Sequence, residues 1–124
     1  MKNKKMFLDL FKIKFPVTAI VSISHRISGV LMFLSVPIWL FVIHVSLIDK
    51  IHFQSVTELL SIWYLKVIAY LSLLPWIFHL LAGLRHLLMD LGFMEGLCGA
   101  KFTAYSVFAL FVLFTFVLGA IIWI

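Results

Sequence analysis

Apolar positions in this chain gather into three long runs, about Val17 to Leu47, Leu59 to Met89 and Phe102 to Ile124, separated by two short stretches rich in polar residues and glycine. None of the runs alternates polar with apolar residues, as a membrane β-strand of about 10 residues would. At about 1.5 Å per helical residue, each is long enough to cross a hydrocarbon layer about 30 Å thick. A backbone in hydrocarbon must satisfy its own N–H and C=O groups, and runs of this length do so as helices. The pattern therefore predicts an all-α integral membrane protein: one membrane-anchor domain spanning residues 1–124, built as a bundle of three transmembrane helices at about 17–47, 59–89 and 102–124.

The stretches between the runs set the connections. Residues 1–16 carry Lys2, Lys4, Lys5, Lys12 and Lys14 among apolar neighbours and read as an interfacial segment. Pro16 suits the first turn of the helix that follows, where its missing N–H has no partner to lose. A cleaved signal peptide is disfavoured: its apolar region is about 7–15 residues long and precedes a small-residue cleavage site, and this run is longer with no such end. Ile48–Glu58, with Asp49, Lys50, His52, Gln54 and Glu58, reads as a short polar connection. Asp90–Lys101 holds Gly92, Gly96 and Gly99, residues that end helices. Pro37 is placed to bend the first helix, and Pro75 lies inside the second.

Composition agrees with the pattern: 65% of residues are hydrophobic and 12% charged, and the mean hydropathy is +1.20. A soluble domain is only about 45–50% apolar and about 25% charged, so the natural solvent here is the bilayer. The formal charge of +5 does not point to nucleic acid, because the cations neither line one soluble face nor alternate with stacking aromatics. They mark topology instead. With the N-terminus cytoplasmic, Lys2, Lys4, Lys5, Lys12, Lys14, Arg26, Arg85 and Lys101 fall on or near the inner face, leaving Lys50 and Lys66 toward the other. The C-terminus is then outside, with Trp123 in the outer aromatic belt. The lone Cys98 excludes an intrachain disulfide and reads as an ordinary loop residue.

Charged and imidazole side chains are costly against lipid, so those inside the runs face protein, a cofactor or water. Ser22, His25, Arg26 and Gly29 fall at i, i+3, i+4 and i+7, one stripe of the first helix. Their hydroxyl, imidazole and guanidinium suit a quinone carbonyl or acidic cofactor groups; equally, Arg26 can snorkel to headgroups and Ser22 can bond its own helix. His79, Gly83, His86 and Asp90 recur at i, i+4, i+7 and i+11 on the second helix. A haem iron takes axial imidazoles, and a small residue four positions on lets a flat macrocycle approach. His79 lies about 16 Å of helix below Asp90, where haem ligation is favoured over an interhelical hydrogen bond; for His86, nearer water, the structural role is favoured. Haem with two histidine ligands needs a second imidazole, and His44 and His52 lie toward the opposite membrane surface. A partner subunit is therefore expected to supply it.

Phe15-Pro16-Val17-Thr18-Ala19-Ile20, the element His25-Arg26-Ile27-Ser28-Gly29, and His79 through Gly83 into Arg85-His86-Leu87-Leu88-Met89-Asp90 together resemble the cytochrome b subunit of succinate dehydrogenase, the large membrane anchor, in its enterobacterial-like form. The chain departs from that pattern at Lys5-Met6, where Arg-Pro is more usual, at Ser24, where leucine is commoner, and at Phe78, where tyrosine often stands. The resemblance implies a four-subunit enzyme of the bacterial inner membrane, in which a flavoprotein oxidises succinate, an iron–sulfur protein relays electrons, and two anchors hold haem b and ubiquinone. By position it implies His79 as the axial ligand to the haem iron, the second ligand coming from the small anchor subunit. It further implies His25, Arg26 and His86 beside the haem propionates, Ser22 and Arg26 at the quinone, and Ile23 as the quinone site's apolar wall. This chain would hold no succinate-oxidising site of its own. Two other readings stand beside this one: a fumarate reductase anchor of the same architecture, and a cofactor-free structural or proton-path subunit.

Overall fold

The computed structural model describes residues 15–124, all helix and short connections; the expected interfacial segment falls largely on residues 1–14, outside the described residues. Helix α1 spans Val17–Ser46, α2 Lys50–Ser61, α3 Trp63–Asp90 and α4 Leu97–Trp123. Three of them, α1, α3 and α4, are long and apolar enough to cross a membrane.

Pro16 enters α1 in an extended conformation, and its carbonyl accepts from the N–H groups of Ala19 and Ile20 at 2.9 and 3.2 Å. It gives up no N–H that the first turn could have used. At the other end the Leu47 N–H is shared between the carbonyls of Ile43 and His44, both at 3.1 Å, which tightens the last turn before the chain reverses.

The polar connection expected at Ile48–Glu58 is instead mostly helix α2. Asp49 starts it, its carboxylate accepting from the His52 N–H at 2.8 Å and lying 2.9 Å from the His52 ring Nδ1. Those hydrogen bonds, the backbone one foremost, hold the Asp49 carboxyl below the usual carboxylate range. Val56, Leu59 and Leu60 share one face at helical spacing and turn toward α1 and α3, while Lys50, Gln54 and Glu58 stay exposed. The abundance of polar residues concealed this amphipathic stripe. The helix expected to begin at Leu59 consequently begins later, after Ile62 takes an extended conformation that separates α2 from α3.

The connection between α3 and α4 is also shorter than expected. Gly92 adopts φ +83°, a left-handed conformation that ends α3, and α4 starts at Leu97, a turn ahead of the expected Phe102. The Ala100 N–H already reaches the Gly96 carbonyl at 2.8 Å.

Helix α3 packs against both α1 and α4. Its contact with α4 is built on small and aromatic residues: Ala82 and Ala104 are fully buried, and Phe78 packs against Phe108 and Phe111 at ring centroid distances of 5.9 and 5.2 Å. Between transmembrane helices, where lipid removes the hydrophobic drive to associate, such close van der Waals packing supplies cohesion. The Tyr70 hydroxyl adds a bond to the Thr115 carbonyl at 3.0 Å. The outward surface stays apolar, with Phe33 and Phe116 among its most exposed side chains, as contact with hydrocarbon requires.

Candidate functional site

Helices α1 and α3 run antiparallel, and their polar side chains meet in a ladder. Trp39 Nε1 donates to Ser72 Oγ at 3.2 Å, and Trp76 Nε1 donates to Ser35 Oγ at 2.8 Å. Each serine hydroxyl in turn donates to its own helix, Ser72 to Ala69 and Ser35 to Met32. Continuing toward the α3–α4 connection, His79 meets Ser28 and the backbone of His25.

There the two halves of the expected constellation come together. The rings of His25 and His79 stack at a centroid distance of 4.1 Å and an interplanar angle of 17°. His86 lies against the other partner of that stack, 5.0 Å from His25. Two glycines permit the approach. A β-carbon on Gly29 would stand 2.9 Å from His79 Cε1, closer than real β-carbons come, whereas one on Gly83 would stand 3.4 Å from His25 Nε2, at ordinary contact. The stripe of α1 and the stripe of α3 therefore interlock, each histidine lying over the other helix's glycine.

The hydrogen bonds assign the tautomer of His79. Its Nδ1 lies 3.1 Å from the His25 carbonyl, which can only accept. It also lies 3.4 Å from Ser28 Oγ, whose own proton goes to that same carbonyl at 2.8 Å. Nδ1 is therefore the donating nitrogen, and in the neutral ring Nε2 carries the lone pair. Nε2 makes no hydrogen bond among the described residues. This is how a protein prepares an imidazole for a metal, one ring nitrogen anchored to a carbonyl and the other left as a σ-donor. His79 also lines a cavity of about 320 Å³ whose other walls are Met32, Trp76, Ile77 and Leu80. The wall of this partly open cavity is apolar throughout, so the His79 ring meets it with carbon. His25 differs: its Nε2 is buried with no hydrogen-bond partner among the described residues.

The remaining candidates lie around this cluster. Ser22 is half-buried one turn before His25, while Ile23 and Arg26 are exposed on the surface of α1. His44 is exposed at the far end of α1, and His52 is engaged with Asp49 on α2. Neither approaches the stack. Two residues gain roles that the helical spacing did not assign. Ser28 holds the His79 ring, and its place three residues after His25, back-bonding to that residue, was the available signal. Arg85 is only 5% exposed: its Nε donates to Thr103 Oγ1 and a terminal nitrogen to the Ala100 carbonyl, both at 3.1 Å. It ties the C-terminal end of α3 to the first turns of α4 and spends its hydrogen bonds there instead of on the histidines.

Residues 1–118 match the family of succinate dehydrogenase/fumarate reductase transmembrane subunits. The chain is 39% identical to the succinate dehydrogenase cytochrome b556 subunit of Coxiella burnetii over 118 residues, 94% of each chain. It is 32% identical to the protein of the same description from Rickettsia bellii over 104 residues, 82% of this chain and 79% of that one. A further such subunit, from Rickettsia felis, is 27% identical over 111 residues, 90% of this chain and 85% of its own. The chain belongs to the succinate dehydrogenase/fumarate reductase transmembrane subunit family. With three helices fit to span a bilayer, it is a multi-pass protein of the bacterial inner membrane.

The two glycines give a paired expectation. Gly29→Ala must displace the His79 ring or part the helices, and overpacking of this kind costs on the order of 1–3 kcal/mol. Gly83→Ala meets only ordinary contact and gains helix propensity. Thermal unfolding in detergent, followed together with the NMR signals of the His79 ring, should show a lowered midpoint and shifted ring resonances for Gly29→Ala alone. Equal tolerance of both substitutions would refute the interlocked arrangement.

Proposed function

We propose that this chain is the haem b-binding and ubiquinone-binding membrane anchor of a succinate:quinone oxidoreductase, passing electrons from flavin and iron–sulfur subunits to quinone. Its family membership and the description of its relatives as succinate dehydrogenase cytochrome b556 subunits support this reading. The relatives' description favours succinate oxidation over the fumarate reductase alternative. The single observation that carries the cofactor assignment is the anchored Nδ1 of His79, which leaves Nε2 without a hydrogen bond among the described residues.

When bound, haem supplies one-electron chemistry that no side chain here can perform. This chain's part is to hold and tune it. His79 would offer Nε2 to the iron, and the proton on Nδ1, donated to the His25 carbonyl, would fix the ring's orientation. His25 would not be the second ligand, because two rings stacked at 4.1 Å leave no gap for a macrocycle between them. That ligand would come from the small anchor subunit. Arg26 would offer positive charge, and His25 and His86 ring donors, to the propionates. Ser22 donates to a quinone carbonyl, Arg26 stabilises the negative charge that the quinone gains with each electron, and Ile23 borders the ring. Succinate oxidation belongs to the flavoprotein subunit.

The ligand assignment has a direct check in the assembled complex. His79→Ala should abolish or strongly change the reduced b-type absorption spectrum, whereas His44→Ala, at the other membrane surface, should leave it intact. A normal low-spin spectrum after His79→Ala rules the ligand out. A colourless wild-type complex would favour the cofactor-free reading instead.

The orientation proposed here, N-terminus cytoplasmic, rests on the distribution of lysine and arginine. A reporter inserted near Gly96 should remain inside and one fused after Ile124 should be outside; the reverse pattern would overturn it.

The quinone assignment predicts a split between two activities. Ser22→Ala and Arg26→Leu should impair succinate-dependent quinone reduction while sparing succinate oxidation by an artificial acceptor that takes electrons upstream. Ser22→Ala should also retain the haem, whereas Arg26→Leu should shift it through the loss of a propionate partner. Normal quinone reduction in both variants would show that the site lies elsewhere.

A further inference from the structure

Beyond the Trp39–Ser72 and Trp76–Ser35 rungs, at the end of the bundle away from the histidines, α1, α2 and α3 enclose a second cavity of about 370 Å³. Val42 of α1, Val56 and Leu60 of α2, and Leu65 and Ala69 of α3 line it. Its only side-chain hydroxyls, those of Ser35 and Ser72, each already donate to a backbone carbonyl and accept from an indole. The chamber therefore has no unengaged hydroxyl to receive a polar headgroup. It runs along α3 from Leu65 to Ser72, about 10 Å of helix.

Its setting specifies the occupant. Helix α2 carries a polar face with Lys50, Gln54 and Glu58 and an apolar face turned into the chamber, as a helix lying along the membrane–water boundary does. Trp63 and Tyr64, exposed at the start of α3, belong to the same aromatic level. Lys66, half-buried and one residue on from the lining Leu65, stands on the adjoining face of α3 at the same level, where its long stem can carry the ammonium to the boundary. A dry slot bordered by residues of this level matches a phospholipid, its chain inside and its phosphate among the boundary residues. We infer that the chamber between α1, α2 and α3 is a binding site for one acyl chain of a phospholipid, separated from the histidine cluster by the tryptophan–serine rungs. The inference depends on the chain's membrane location alone and stands apart from the haem and quinone assignments.

The test uses the protein in its native membrane complex, reconstituted into vesicles containing phosphatidylethanolamine and phosphatidylglycerol with a trace of phospholipid bearing a diazirine in one acyl chain. After illumination, peptide mapping should find label at Val42, Val56 and Ala69, and Ala69→Phe, which fills the slot, should lose that label while Phe33 and Phe116 on the outer surface keep theirs. Label confined to outer-surface residues such as Phe33 and Phe116 in the wild-type protein overturns the inference without recourse to a variant. So does displacement of the chamber label by added ubiquinone, which would make the occupant a quinone rather than a lipid.

Discussion

Where His79 lies over Gly29 and His25 over Gly83, α1 and α3 meet with no β-carbon between ring and backbone, and the positions of the other α1–α3 contacts follow from that approach. The stacked rings fix both the separation and the register of the two helices. Ser28 then reaches the His79 ring, and further along the same antiparallel register Trp76 meets Ser35 and Trp39 meets Ser72. A slip by one residue would remove every rung. Individual hydrogen bonds between transmembrane helices contribute only about 0.6 kcal/mol on average. Their number and common register give them their force, because a polar atom that lost its partner would face hydrocarbon with no water to replace it.

The same arrangement divides labour along α3. Its N-terminal half is joined to α1 through indoles and hydroxyls that satisfy one another, and its C-terminal half carries groups that are left partly free. His79 Nδ1 is anchored and Nε2 unbonded, and His25 Nε2 is buried without a partner. Arg85, facing α4, donates to acceptors on Thr103 and Ala100 and so secures the helix end without using the histidines. An unpartnered buried nitrogen is costly, and its persistence beside an imidazole anchored through one nitrogen is the kind of local frustration that accompanies a binding site.

What the sequence made legible follows from the range over which each signal acts. The three spans show in uninterrupted apolar runs, and Ser22, His25, Arg26 and Gly29, like His79, Gly83 and His86, show as stripes because helical periodicity is a property of one segment. Helix α2 was hidden because Lys50, His52, Gln54 and Glu58 outweigh its Val56, Leu59 and Leu60 in any count of polarity, although their spacing and the Asp49 cap carry the helix. The first turn of α4 was hidden because Gly99 looked like a loop residue, and it sits inside the helix. The His25–His79 stack lay beyond reach for a different reason: it depends on the register between two helices, which neither stripe encodes alone. Arg85 likewise gave no sign of α4 until the α3–α4 packing brought Thr103 beside it.

The two ends of the bundle differ in how they deal with space that the helices do not fill. At the histidines, among the described residues, His79 Nε2 makes no hydrogen bond and His25 Nε2 is buried without one, so a cofactor there would relieve an electrostatic deficit as well as a packing one. Between α1, α2 and α3 the hydroxyls of the cavity wall are engaged, so only apolar surface would gain from an occupant, at roughly 25 cal/mol per Å² removed from water. The tryptophan–serine rungs separate the two regions by rigid, mutually bonded side chains. The separation matters physically: a hydrocarbon chain admitted beside α2 adds no polar group near His79, and charge gathered at the histidine end stays remote from the dry chamber. A single antiparallel pair of helices can therefore carry two binding environments of opposite character because the residues between them leave no polar group for either to use.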